Sequence, residues 1–110
     1  MSVVRQTITL GTNALGQTCY DVEGPTGIRK IVGNVFQIKN DSSSSIYISW
    51  NSHTDGFPLN ETINAHATQP WPVGNAPLGT YTYTPMTSEN GTVISPCGGP
   101  GDTPTMTVEP

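Results

Sequence analysis

Residues 78–84 read LGTYTYT, so Tyr81 and Tyr83 alternate with threonines. A period of two puts both tyrosines on one face of a strand and the threonines on the other. The same alternation returns at residues 105–108, where Met106 and Val108 share a face. No stretch of the chain sustains the 3.6-residue spacing of an amphipathic helix. A chain whose apolar residues recur only at period two must bury them between sheets.

The remaining segments extend this pattern. Residues 35–40, VFQIKN, predict the clearest strand, with Phe36 and Ile38 inward and Gln37 and Lys39 outward. Residues 46–50, IYISW, put Ile46, Ile48 and Trp50 in register. Joined by the short loop DSSSS, the two predict an antiparallel hairpin. Before them, residues 4–10 and 19–23 predict strands, pairing Ile8 with Leu10 and Tyr20 with Val22, and residues 28–32 predict a short edge strand. After them, residues 61–68 predict a weaker strand with Ile63 and Ala65 inward. Residues 69–74, QPWPVG, cannot form a central strand because two prolines withhold donors, and they predict an extended loop. Residues 78–84, 91–95 and 104–109 complete the set. The expectation is an all-β fold: an antiparallel two-sheet β-sandwich of about eight strands, filling a single domain over residues 1–110.

Composition narrows the function. Four basic residues, Arg5, Arg29, Lys30 and Lys39, and a net charge of −4 exclude a phosphate-tracking stripe, so nucleic acid is not an expected partner. No apolar run reaches the length of a membrane-spanning helix. The first ten residues alternate like a strand and lack the charged start and apolar block of a signal peptide. Low charge, abundant Ser and Thr, and sequons at Asn40, Asn60 and Asn90 lean toward a secreted protein, and the compartment stays open. Cys19 and Cys97 either close one long disulfide loop or remain two free thiols.

The strings FQIKN, GTYTYTP and PTMTVEP, spread over residues 35–108, resemble those of a cupredoxin-like domain. Immunoglobulin-like sandwiches carry much the same strings. The resemblance implies a sandwich scaffold. Its type 1 copper site would need two imidazoles and a thiolate, with a weak axial thioether. In the family one histidine closely follows the Asn-ended strand, and the other ligands crowd the loop after the GTYTY strand. Here Asn40 is followed by Asp41-Ser42-Ser43-Ser44-Ser45, and Tyr83 by Thr84-Pro85-Met86. Cys97 comes later, before Gly98-Gly99-Pro100-Gly101-Asp102, and both histidines, His53 and His66, lie upstream. No metal or other cofactor is therefore expected. A copper-binding, electron-transfer protein is the alternative function.

Trp71, fixed between Pro70 and Pro72, is the most suggestive single residue. A stiffly held indole can stack on a sugar ring or anchor a partner. The plainer reading, and the one the residues favour, is that it caps one end of the sandwich as core. His53, Asp55 and Asn75 in neighbouring loops would supply hydrogen bonds. No catalytic constellation is apparent. Ser42–Ser45 lacks a G-x-S-x-G elbow, the carboxylates form no distinguishable pair, and Gly98–Gly101 lacks the lysine and helix of a phosphate loop. The expected function is a non-catalytic binding or assembly module. Its partner would be a glycan or a protein surface, with homo-oligomerisation through exposed sheet edges as a further route.

Overall fold

Alternation resolves into two facing sheets in the computed structural model, which describes residues 2–98 and 103–110. Residues 99–102, weighed above as part of a metal or phosphate loop, lie outside the described residues. Among the described residues ten strands form: β1 (Val3–Thr12), β2 (Thr18–Glu23), β3 (Gly27–Arg29), β4 (Val35–Asn40), β5 (Ile46–Trp50), β6 (Glu61–Ile63), β7 (Thr68–Pro72), β8 (Gly79–Met86), β9 (Ser95–Pro96) and β10 (Thr105–Glu109). One sheet has the order β7-β4-β1-β2-β9 and the other β3-β10-β8-β5-β6. Among the described residues there is no helix.

Several expectations need correction, beginning with the strand number, ten among the described residues rather than about eight. The sheets are mixed rather than antiparallel: β1 runs parallel to β4, β2 to β9, and β10 to β3. And β4 and β5 form no hairpin, because they belong to opposite sheets. Their inward residues Phe36, Ile38, Ile46 and Ile48, all fully buried, meet across the core instead of lying side by side. Alternation says which face of a strand is buried, and it reads the same for a hairpin and for an arch between sheets.

A similar division happens at residues 61–68. The segment splits into β6 in one sheet and the start of β7 in the other, which leaves Ala65 exposed at the turn between them. His66 takes positive φ (61°) in that turn. Residues 69–72 form a strand where a loop was expected. β7 is nevertheless an edge strand, where a sheet tolerates Pro70 and Pro72.

The core is continuous between the sheets. Ile8, Phe36, Ile38, Ile46, Ile48, Tyr83 and Met106 are fully buried in it. Trp50 packs edge-on against both Trp71 (ring centroids 5.4 Å apart) and Tyr83 (4.9 Å), the arrangement aromatic rings prefer. A polar tie crosses this core. The Tyr83 hydroxyl donates to Gln6 Oε1 at 2.6 Å, and Gln6 Nε2 donates to the Thr105 carbonyl at 2.8 Å. Burial first, and then the neighbouring Tyr20, pushes the Tyr83 phenol far above its ordinary value. Cys19 and Cys97 are joined in a disulfide, which answers the question the sequence left open.

Candidate functional site

The strand registers define two ends. At one, which we call the closed end, lie the loops 41–45, 64–67 and 87–92. At the other, the open end, lie the loops 30–34, 51–60 and 73–78.

Polar groups finish the closed end. Asn40 is fully buried, and its Nδ2 donates to the carbonyls of Ser44, Ile63 and Asn64, while its Oδ1 accepts from the Ser42 hydroxyl at 2.6 Å. One side chain thus gathers both the loop after β4 and the turn after β6.

The open end is assembled differently. Asn34, 4% exposed, holds the loop after β3: it accepts from the Ser2 amide at 2.7 Å and donates to the Arg29 carbonyl at 3.1 Å. Gly33 (φ 94°) turns this loop, so Ile31 and Val32 project outward. Gly74 brings the next loop against it, since a Cβ there would lie 2.9 Å from the Val32 Cα. The third loop carries a two-residue hairpin. Thr54 and Phe57 exchange backbone hydrogen bonds of 2.8 and 3.0 Å, and Asp55 and Gly56 both have positive φ, as a type I′ turn requires. The hairpin tilts Phe57 inward, where its ring meets Tyr81 edge-on at 5.4 Å.

These three loops enclose a cleft of about 420 Å3, walled by Val32, Asp55, Phe57, Pro72, Asn75 and Pro77. Seven large apolar side chains are exposed among the described residues, and five of them, Val3, Ile31, Val32, Leu59 and Leu78, stand at this end. Of the five, Val32 lines the cleft itself; isolated exposed aliphatics are ordinary, and it is their concentration at one end that stands out.

Of the candidate residues, Asp55 and Asn75 are brought together on the cleft walls. His53 is exposed in the same loop as Asp55, its Nδ1 at 2.5 Å from the Pro58 carbonyl, and does not line the cleft. Trp71 is corrected: it is 4% exposed, and its indole N–H donates to the Leu59 carbonyl at 2.9 Å. The prolines do hold its backbone extended, but as an edge strand whose alternation sends the ring inward. The residues that sequence reasoning missed are Val32 and Phe57. Asp55-Gly56 was the available signal for the latter, because that dipeptide favours a tight hairpin. The two histidines stand at opposite ends of the sandwich, and both cysteine sulfurs are bonded, so the copper ligands sought above do not converge.

A second concavity, of about 310 Å3, runs along the seam between β2 and β10. Its polar floor is Gln6, whose amide is already engaged on both sides. Comparison with known proteins adds no assignment: no protein-family model matches this chain, and no curated protein matches it.

Proposed function

We propose that this chain is a non-catalytic binding or assembly module acting through the open end of a cupredoxin-like or immunoglobulin-like sandwich. One observation carries the reading: five of the seven large aliphatic side chains exposed among the described residues stand at the end that holds this cleft, with Val32 on its wall, while Asn40 ties the loops of the other end together. The reading is non-catalytic because Asp55 is the one titratable side chain on the cleft walls, with no second group beside it to share acid–base work.

A protein surface fits the cleft better than a glycan. Sugar recognition on this scaffold was expected to rest on Trp71, and that ring is core. Six of the eight aromatic side chains are buried, and Phe57, the aromatic on the cleft wall, is half-buried with its ring edge-on to Tyr81. Aliphatic residues over proline-walled loops suit an apolar peptide or protein patch.

The test is a peptide selection. Binders taken from a random displayed library against the folded protein should shift the amide resonances of Val32, Phe57 and Asn75, and a glycan array should stay blank. Shifts confined to the closed-end loops, or an array signal lost in Asn75→Ala, would replace this reading.

A further inference from the structure

The open end carries both halves of a contact with itself. We infer that two copies of this chain associate end to end as a two-fold dimer, the Val32 loop of each seated in the cleft of the other. This inference rests on the reading of the open end as the binding surface and names its partner.

Shape is the first argument. Val32 is 82% exposed, and Ile31 beside it is 43% exposed. Val32 also forms the rim of the cleft, so knob and hole lie side by side on one face. A two-fold contact requires this, since one patch must be complementary to its own copy.

Charge is the second. Arg29 and Lys30 immediately precede the knob, and Asp55 stands on the cleft wall. None of the three has a side-chain hydrogen bond or ion pair among the described residues. A two-fold axis between the loops sets the cations of one copy opposite the carboxylate of the other. An anionic membrane would select a single sign, and Asp55 and Glu109 at this end oppose it. Sheet edges offer a poorer route to self-association. β7 carries Pro70 and Pro72, β3 and β6 have three residues each, and β9 has two.

Area sets the strength. The molecule measures 43 × 24 × 24 Å, and only the 43 Å axis accommodates the ten residues of β1 lengthwise, so an end face is about 24 Å square. Contact over that face buries roughly 1,200 Å2 in total, the lower limit for a specific interface, which describes a weak and reversible dimer.

Sedimentation velocity and small-angle X-ray scattering from about 10 μM to about 1 mM test it, spanning the range where such a dimer dissociates. The expected result is a monomer–dimer equilibrium whose dimer approaches twice the 43 Å length of the monomer. Val32→Glu should raise Kd by about tenfold or more, the effect of losing one buried anchor. Asp55→Lys should weaken the dimer, and adding Arg29→Asp with Lys30→Asp should restore it. Unchanged circular dichroism in each variant keeps folding out of the comparison. A monomer throughout, a side-by-side dimer, a dimer indifferent to Val32→Glu, or a charge reversal without rescue would each overturn the proposal. A monomer that still binds selected peptides in the cleft would overturn the dimer and leave the binding surface standing. Val32-dependent pelleting with phosphatidylserine vesicles would reassign this end to a membrane.

Discussion

At the closed end of the sandwich, loop atoms satisfy one another and two large aliphatics, Leu15 and Val93, are exposed; at the open end five are held out in water. Asn40 binds three carbonyls and a hydroxyl there, and the Cys19–Cys97 bridge ties β2 to the segment after β9 on the same side of the molecule. Asn34 at the open end makes a comparable polar anchor, yet it serves a loop whose tip leaves the Ile31 and Val32 side chains exposed. Both ends are firmly built. They differ in what the firmness supports: the closed end completes the fold, and the open end presents a surface. Stability and association should therefore respond to different residues.

The largest effect belongs to the closed end. The disulfide closes a loop with a sequence separation of 78. In the chain-entropy account, removing it with Cys19→Ala and Cys97→Ala should cost about 4.5 kcal/mol, read from urea unfolding. A loss under about 1 kcal/mol would mean the staple contributes little and the closed end is held by its loops alone.

Next is Trp71, which lies under the open end without belonging to its surface. Trp71→Ala should cost about 4 kcal/mol, from the cavity under Trp50 and from the stranded Leu59 carbonyl. Native tryptophan emission should be blue-shifted and shielded from iodide. Near-neutral stability in this variant would return Trp71 to the binding surface and blur the contrast between the ends.

Asn40→Ala follows. It removes the donor for the Ser44, Ile63 and Asn64 carbonyls and should cost about 3 kcal/mol. Peptide selection results at the open end should not change, which thermal melts and resonance shifts measured together will show.

Tyr83 sharpens the account of the core shared by the two ends. Tyr83→Phe leaves Gln6 Oε1 without its donor, a loss of about 1 kcal/mol at neutral pH. Its phenol is raised in the folded protein by burial, so the folded state keeps its proton where the unfolded chain releases it. The stability this represents is fully present below the unfolded value of 10.0 and is lost as pH rises beyond it. The phenylalanine variant should thus show a shallower alkaline decline, measured by denaturant midpoints from pH 8 to about 11, across the phenol's ordinary value.

The sequence disclosed faces well and partners poorly. Tyr81, Tyr83, Met106, Ile38 and Ile48 are buried where alternation puts them, because a strand's period is fixed by its backbone. Strand direction and sheet membership are fixed by contacts distant in sequence. β1 pairs with β4 across 32 residues, and nothing local in VVRQTI announces a parallel neighbour. The prolines beside Trp71 were informative about what the strand could not be, a central one, and silent about which way its ring would turn. Asp55 and Asn75 were found as polar loop residues. The cleft they flank was hidden, because it depends on Gly74 letting two loops meet at Val32.

The smallest expected effect on stability is the most telling. Val32→Glu should shift the unfolding free energy by less than about 0.5 kcal/mol, because a side chain this exposed loses almost nothing when it becomes polar. Leu59→Ser should behave likewise, its side chain being exposed while its carbonyl, the Trp71 partner, is retained. If both variants fold as well as the parent, nothing in folding explains aliphatic residues at these positions, and their value lies in what covers them. If instead Val32→Glu costs 2 kcal/mol or more, as burial of an unpaired charge would, Val32 is structural. The open end would then be as self-contained as the closed one, and the contrast between them would fall.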